Sequence, residues 1–421
     1  METPEQYLHR KGQEIALLNG CLNAPLDLTF PNSPAEIISR KFQITSALKA
    51  EYAIQEWALT ETAWAHPGKM RTGPFEFSYD YQRADLEVKG PPFYAFKSHG
   101  SHDTIYTSSG MSAISALLFA TARLMTSADI MVLPGSYGET LELIDTHAHH
   151  LRVVQLANPS KDIAAAGNKN RILLLDTSTP THGIETAIRC TAPKTSLVIF
   201  DTTCFSSGSG RIGRVLSWAR RYRLPIVLVR SHTKLDSLGV EYGRLGSAVF
   251  VDAKERAESG EMLQMLANET RQAVRLFGGA ALPAHFPPFA GADAYRQLTN
   301  IRVAAILRNS RRTARYFREA LASSAGQLNY AHGLYLTLAP KRPIGEDRAR
   351  DLADRLSNDL GKAGLPIRHA GSFGFDFAAT EWFHDTLSDR FVIRIAVPDL
   401  PTALWDDISK AIAGWWSSRD L

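Results

Sequence analysis

Between residues 104 and 251 seven short β-rich runs alternate with helical patterns, and few architectures accept that rhythm. The runs are TIYT, IMVLP, LRVVQL, RILLLD, SLVIFD, PIVLVR and SAVFV. Most offer no polar face to turn toward water. Strands of that kind are covered on both sides, and MSAISALLFATARLM and RVLSWARRYR have the apolar spacing of covering helices. The chain is therefore expected to be α/β, with a mostly parallel seven-stranded sheet sandwiched by helices.

The flanks differ in texture. The first hundred residues hold short helical patterns, then the Gly/Pro-punctuated HPGKMRTGPFEF and KGPPFY. After the sheet comes KERAESGEMLQMLANETRQAVRLF, and then a Pro/Gly-rich break, GGAALPAHFPPFAGAD, near 278–293. Beyond it a long helix (about 294–322) leads to LYLTLAP, the helix RARDLADRLSNDLGKAG, the strand FVIRIAVP and a last helix from Thr402. The expected organisation is an N-terminal segment (1–100), a large α/β domain (101–290) and a smaller α+β domain (291–421).

Composition removes several function classes. At 44% hydrophobic and 21% charged, the 421 residues carry ample core and no long polar tract. No run approaches the ~18 apolar residues of a membrane span. The opening METPEQYLHRKGQE is polar and contains acids, unlike a secretory or transit signal. Cys21, Cys190 and Cys204 have no CxxC spacing and point to a reducing compartment, so a cytoplasmic protein is expected. The net charge of +4 is scattered, and RNSRRTARYFR at 308–318 reads as a solvated helix face. Neither nucleic acid nor membrane is an expected partner.

Two tempting motifs fail on spacing. Gly208-Ser209-Gly210-Arg211-Ile212-Gly213 matches GxGxxG, yet six residues separate it from SLVIFD, and a dinucleotide fingerprint needs its glycines at the strand end. Asp145-Thr-His147-Ala-His149-His150 continues the helical pattern ETLELID, where histidines suit the helix dipole, and no second ligand-bearing element accompanies it. A third set holds together. Thr107-Ser108-Ser109-Gly110-Met111-Ser112 lies between TIYT and a strong helix, where backbone N–H groups cradle phosphate. Asp201 ends SLVIFD, and an acid there can keep a ring nitrogen protonated. Lys234 follows PIVLVR among Ser231, His232 and Thr233, as an imine-forming amine requires. Open α/β sheets bind ligands at this strand edge.

The ordered set resembles the pyridoxal-phosphate enzymes of fold type I, in particular the Cys/Met-metabolism (trans-sulfuration) family of cystathionine synthases, cystathionine lyases and methionine γ-lyases. The resemblance spans roughly 75–400. It implies pyridoxal 5'-phosphate as cofactor, with Ser109, Gly110 and Met111 as the phosphate turn. Tyr137 of Tyr137-Gly138-Glu139-Thr140 would stack on the ring, and Asp201 would face the ring nitrogen. Ser231 and Thr233 of Ser-x-Thr-Lys would touch the phosphate, and Lys234 would hold the cofactor as an imine. Tyr81 and Arg83 of Tyr81-Gln82-Arg83 would reach the phosphate of a neighbouring subunit, which implies a homodimer or tetramer. Ser372, in Ser372-Phe373-Gly374, and Arg394 would place the substrate and clamp its α-carboxylate.

Three departures stand out. His182 replaces the asparagine of the family's Thr-Pro-x-Asn-Pro, and Glu139 stands where glycine or cysteine is usual. LDSLGVEYGRLG takes the place of Gly-His-Ser-Asp after the lysine. These changes turn the expectation from a housekeeping sulfur substrate toward specialised amino-acid or natural-product metabolism. The implied function is aldimine and quinonoid chemistry on an α-amino acid, with elimination or replacement at Cγ or Cβ and Tyr137 as a proton carrier. The alternatives are an aminotransferase, a C–C bond-forming enzyme of the same cofactor class, or a non-catalytic scaffold or regulator.

Overall fold

The computed structural model describes residues 2–58, 68–79, 87–94, 103–167, 169–251, 257–321, 325–326, 333–385 and 388–419. Two helices come first, α1 (Pro4–Asn19) and α2 (Pro34–Ala58). Thr3 caps α1 in a reciprocal box with Gln6, and Pro4 fits the first turn, where its missing N–H costs nothing. Helix α2 is longer than the short helical patterns expected in this region. Its buried Ile37, Ile38, Ile44 and Leu48 share the helix with a fully buried Lys41, and that charge interrupts the apolar stripe. Next come β1 (Gly68–Thr72), β2 (Phe75–Tyr79) and β3 (Glu87–Lys89), an antiparallel sheet of three strands.

The seven runs singled out above form one sheet. Its strands are β4 (Asp103–Thr107), β5 (Ala128–Val132), β6 (Leu151–Gln155), β7 (Arg171–Asp176), β8 (Leu197–Asp201), β9 (Ile226–Ser231) and β10 (Gly246–Val251). They lie in the order β4-β10-β9-β8-β7-β5-β6, and only β10 runs antiparallel to its neighbours. The crossovers carry α3 (Gly110–Leu124), α4 (Gly138–His147), α5 (Pro159–Ala164), α6 (Thr181–Ala187) and α7 (Gly210–Arg221), and α8 (Ala257–Phe277) follows β10. Every residue of β5, β7 and β10 is buried. Ile114 and Leu117 of α3, Ile130, Ile172, Leu174 and Ile199 join one core, each contributing about 1.5–3 kcal/mol by leaving water.

The C-terminal part comprises α9 (Asp293–Ala320), β11 (Ala325–Gly326), β12 (Tyr335–Leu338), α10 (Glu346–Lys362), β13 (Ile367–His369), β14 (Ala378–Asp385), β15 (Arg390–Ala396) and α11 (Thr402–Ser417). Its sheet has the order β11-β12-β15-β14-β13. By contact, the chain divides into two compact units: 49–233 with 242–291, and 1–48 with 234–241 and 292–421. The second unit is knit by a buried charge cluster. Arg10, Lys11, Lys41 and Arg302 face Glu14, Asp376 and Asp399, all with side chains no more than 5% exposed. Among the described residues, no helix is long and apolar enough to cross a membrane, and no group of three or more His, Cys, Asp or Glu could hold a metal ion.

Candidate active site

Strands β4, β5, β7, β8 and β9 all point one way, so their C-terminal ends share an edge. At the end of β4, Ser109 caps α3: its Oγ accepts from Ser112 N at 2.9 Å and its carbonyl from Ala113 N at 3.1 Å. The amides of Gly110 and Met111 precede those two, at a helix start where N–H groups have no carbonyl a turn back. A Cβ on Gly110 would stand 3.0 Å from the Ser231 Cβ, so glycine is what lets this turn meet the end of β9. Ser231 Oγ and Thr233 Oγ1 are 2.9 Å apart. Helix-start amides and two hydroxyls brought together in this way fit a phosphate group.

Two carboxylates end adjacent strands. Asp176 of β7 is the register partner of Asp201 of β8. Asp176 Oδ2 accepts from Tyr137 N at 2.6 Å and Oδ1 from Ser178 N at 2.7 Å. Its carboxyl is raised by burial, against those hydrogen bonds. Asp201 Oδ1 accepts from Thr203 N at 2.8 Å. Burial and the neighbouring Asp176 push the Asp201 carboxyl up to about 7, although Thr203 and the buried Arg230 pull it down. A protonated ring nitrogen would answer this crowding by giving Asp201 an opposite charge. Tyr137 precedes α4 and is half-buried, while Glu139 and His182 lie exposed in the first turns of α4 and α6.

The chain passes from one unit to the other between Thr233 and Lys234. Within its own unit, Lys234 Nζ donates to Ser372 Oγ at 2.6 Å, stands 3.7 Å from Glu241 and lies 5.9 Å from the Phe373 ring centre. The segment after it is strained, with Leu238 and Glu241 at positive φ (52° and 46°). It is held in place by Tyr295, whose hydroxyl donates to Asp236 O at 2.8 Å, and by Lys41, whose ammonium donates to Leu238 O. Gly239, at φ +88°, tolerates no side chain: a Cβ would come within 2.6 Å of Arg302 Nη2 and 2.9 Å of the Asp376 carboxyl. Arg394 on β15 is buried, 4.2 and 4.3 Å from the ring centres of Tyr335 and Phe383. It pairs with Glu381, its register partner on β14. Tyr81 and Arg83 lie outside the described residues.

No protein-family model matches the sequence, and no curated protein does. Solved structures do match. One is metB from Corynebacterium glutamicum, 16% identical, covering 74% of this chain and 81% of that one at a TM-score of 0.52. Another is the cystathionine γ-synthase from Xanthomonas oryzae pv. oryzae in complex with cystathionine, 17% identical, covering 76% and 82% at 0.52. The chain has the fold of a cystathionine γ-synthase. That fold is the fold-type-I architecture the residue order implied. Two acids escaped the sequence reading. Asp176 was legible in principle, because RILLLD ends as SLVIFD does, whereas Glu381 sits in AATEWFHD, a stretch not read as a strand.

Proposed function

We propose that the chain is a pyridoxal-phosphate-dependent enzyme acting on an amino compound, with elimination or replacement at Cγ or Cβ of an α-amino acid as its reaction type. The observation that carries the reading is the cradle of Gly110, Met111, Ser231 and Thr233 on the edge where Asp201 ends β8, with Lys234 the next residue along the chain. The cradle would take the phosphate, Asp201 would hold a proton on the ring nitrogen, and Lys234 Nζ would hold the cofactor covalently. When bound, pyridoxal phosphate supplies an aldehyde that condenses with amines and a ring that accepts the electron pair left when a carbon loses its proton.

The residues divide the remaining work. Ser372 Oγ fixes the direction of the Lys234 ammonium at 2.6 Å, and the same Nζ, once free, is the base for the substrate Cα proton. Asp176, through Tyr137 N–H, fixes the backbone from which the Tyr137 ring projects. Tyr81 and Arg83 would complete the phosphate site from a second copy, making the enzyme at least a homodimer. Borohydride reduction of cofactor-loaded protein followed by peptide mapping tests the reading: the pyridoxyl group should be on Lys234. An adduct elsewhere, or none, would sink it and favour the scaffold alternative. Product analysis then separates a 2-keto acid with ammonia from transamination or from a second amino acid.

A further inference from the structure

Arg394 is the guanidinium expected to receive a substrate carboxylate, and it already has one. Glu381 Oε1 accepts from both Nε, at 2.7 Å, and Nη2, so one oxygen spans an edge of the fork that binds carboxylates. Arg394 is buried and Glu381 half-buried, with side chains 9% and 14% exposed. Packing against the rings of Tyr335 and Phe383 restrains the guanidinium, and Phe383 is on the same face of β14 as Glu381. The second oxygen, Oε2, is turned toward the loop of Ser372: a Cβ on Gly371 would lie 3.1 Å from it. That loop carries the hydroxyl that receives Lys234 Nζ. Glu381 thus stands between the amine and the arginine of one cluster, within one unit.

A ligand carboxylate arriving here must draw Arg394 away from Glu381 or bring a second negative charge beside the first. Like charges set together in a buried site oppose binding strongly, whereas a ligand with no charge at that position meets no repulsion. We propose that Glu381 is a specificity-determining residue that fills the carboxylate place on Arg394, so that the site takes an α-amino acid whose carboxyl group is masked as an amide or ester. The assignment rests on the pyridoxal-phosphate reading of Lys234 and narrows its substrate class. An α-proton beside an ester or amide is at least as readily removed as one beside a carboxylate, so elimination chemistry is retained.

The test compares alanine, alaninamide and ethylamine on cofactor-loaded protein, reading half-saturation from the cofactor's absorbance. Alaninamide and ethylamine should act at concentrations on the order of tenfold lower than alanine, or less. Glu381→Gln should narrow or reverse that order, with Glu381→Ala as the second variant should the first misfold. Alanine binding as tightly as alaninamide in the native chain would overturn the proposal, as would a preference unmoved in both variants. Calorimetric titration of cofactor-free protein with sodium propionate reads the same competition independently of the cofactor. Heat of binding in Glu381→Gln but not in the native chain supports the role of Glu381, and equal heats refute it. Absence of a borohydride adduct on Lys234 counts against the cofactor reading alone.

Discussion

Replacing Asp376 with asparagine should be among the most damaging single changes in the chain, and the buried cluster sets its size. The Asp376 carboxylate receives Lys11 Nζ at 2.5 Å, Arg302 Nη1 at 2.5 Å and Lys41 Nζ at 2.6 Å. Burial pushes its carboxyl upward, yet Lys11, Lys41 and Arg302 together hold it well below the usual carboxylate range. Four cations (Arg10, Lys11, Lys41, Arg302) face three acids (Glu14, Asp376, Asp399), with the partly buried Glu2 on Arg10 at the rim. Asp376→Asn leaves four buried cations to two acids. Breaking a buried pair costs about 3–5 kcal/mol. At roughly 2 cal/mol/K per residue, ~4 kcal/mol lowers the melting midpoint by about 5 °C if the whole chain melts together. The drop is about 10 °C if the unit holding the cluster melts alone. Thermal melts would read the midpoint and urea melts the free energy, each followed by both far-UV dichroism and tryptophan fluorescence. The double variant Asp376→Asn with Lys11→Met restores a one-charge excess and should be more stable than Asp376→Asn alone. A single variant within ~1 kcal/mol of the native chain, or a strictly additive double variant, would refute the reasoning.

Three further outcomes follow from the site. In cofactor-free protein, Asp201 keeps its proton up to about pH 7, whereas an unfolded aspartate has released it. The native state therefore binds more protons across that window, and stability falls as pH climbs from about 4 to about 7. Asp201→Asn should remove that share of the slope, and parallel melting curves for the two proteins across pH 4–8 would contradict it. Ser372→Ala removes the acceptor of the Lys234 ammonium, so exchange of the substrate α-proton into deuterium oxide, followed by NMR, should slow by about tenfold or more while borohydride still labels Lys234. Mixing Lys234→Ala with Arg83→Ala chains should restore activity that neither has alone. Full activity in a strictly monomeric protein would exclude a shared site.

How much of this was legible in the sequence depended on how local each cause is. All seven strands of the large sheet were read from their short β-rich runs: β5, β7, β8, β9 and β10 are buried on both faces and declare themselves within six residues, whereas β4 and β6 are only partly buried. Helix α9 fell within two residues of its expected limits because its buried Tyr295, Leu298, Val303, Ile306 and Phe317 recur at helical spacing. Strand β14 was missed: Thr380 is buried, Glu381 turns toward Arg394, and Trp382 and Phe383 alternate with no clean polar face. The turn at Ser109–Met111, Asp201 and Lys234 stood out in the sequence because each stands at or just after a strand end. Glu381 did not, since its meaning comes from an arginine across the sheet. The buried cluster left no local pattern, because, apart from the Lys11–Glu14 pair, Lys11 and Lys41 meet their acids across hundreds of residues of sequence or between two helices.

That cluster also bears on the order in which the protein can be completed during synthesis. Arg10 bonds to Asp399, a residue 389 positions later, and Lys11 to Asp376 and Asp399. Until synthesis has passed residue 399, α1 has its basic residues but lacks one or both of Asp376 and Asp399, two of the three acids that balance them. Arg10 and Lys11 then have Glu14 of their own helix but not both Asp376 and Asp399 to face. The strands of the large sheet, by contrast, are all made before residue 252 and can pair at once. The segment bearing Lys234 belongs by contact to the later-closing unit although it is synthesised with the earlier one. The Lys234 amine proposed as catalytic would therefore be fixed in place only after residue 399 had been made.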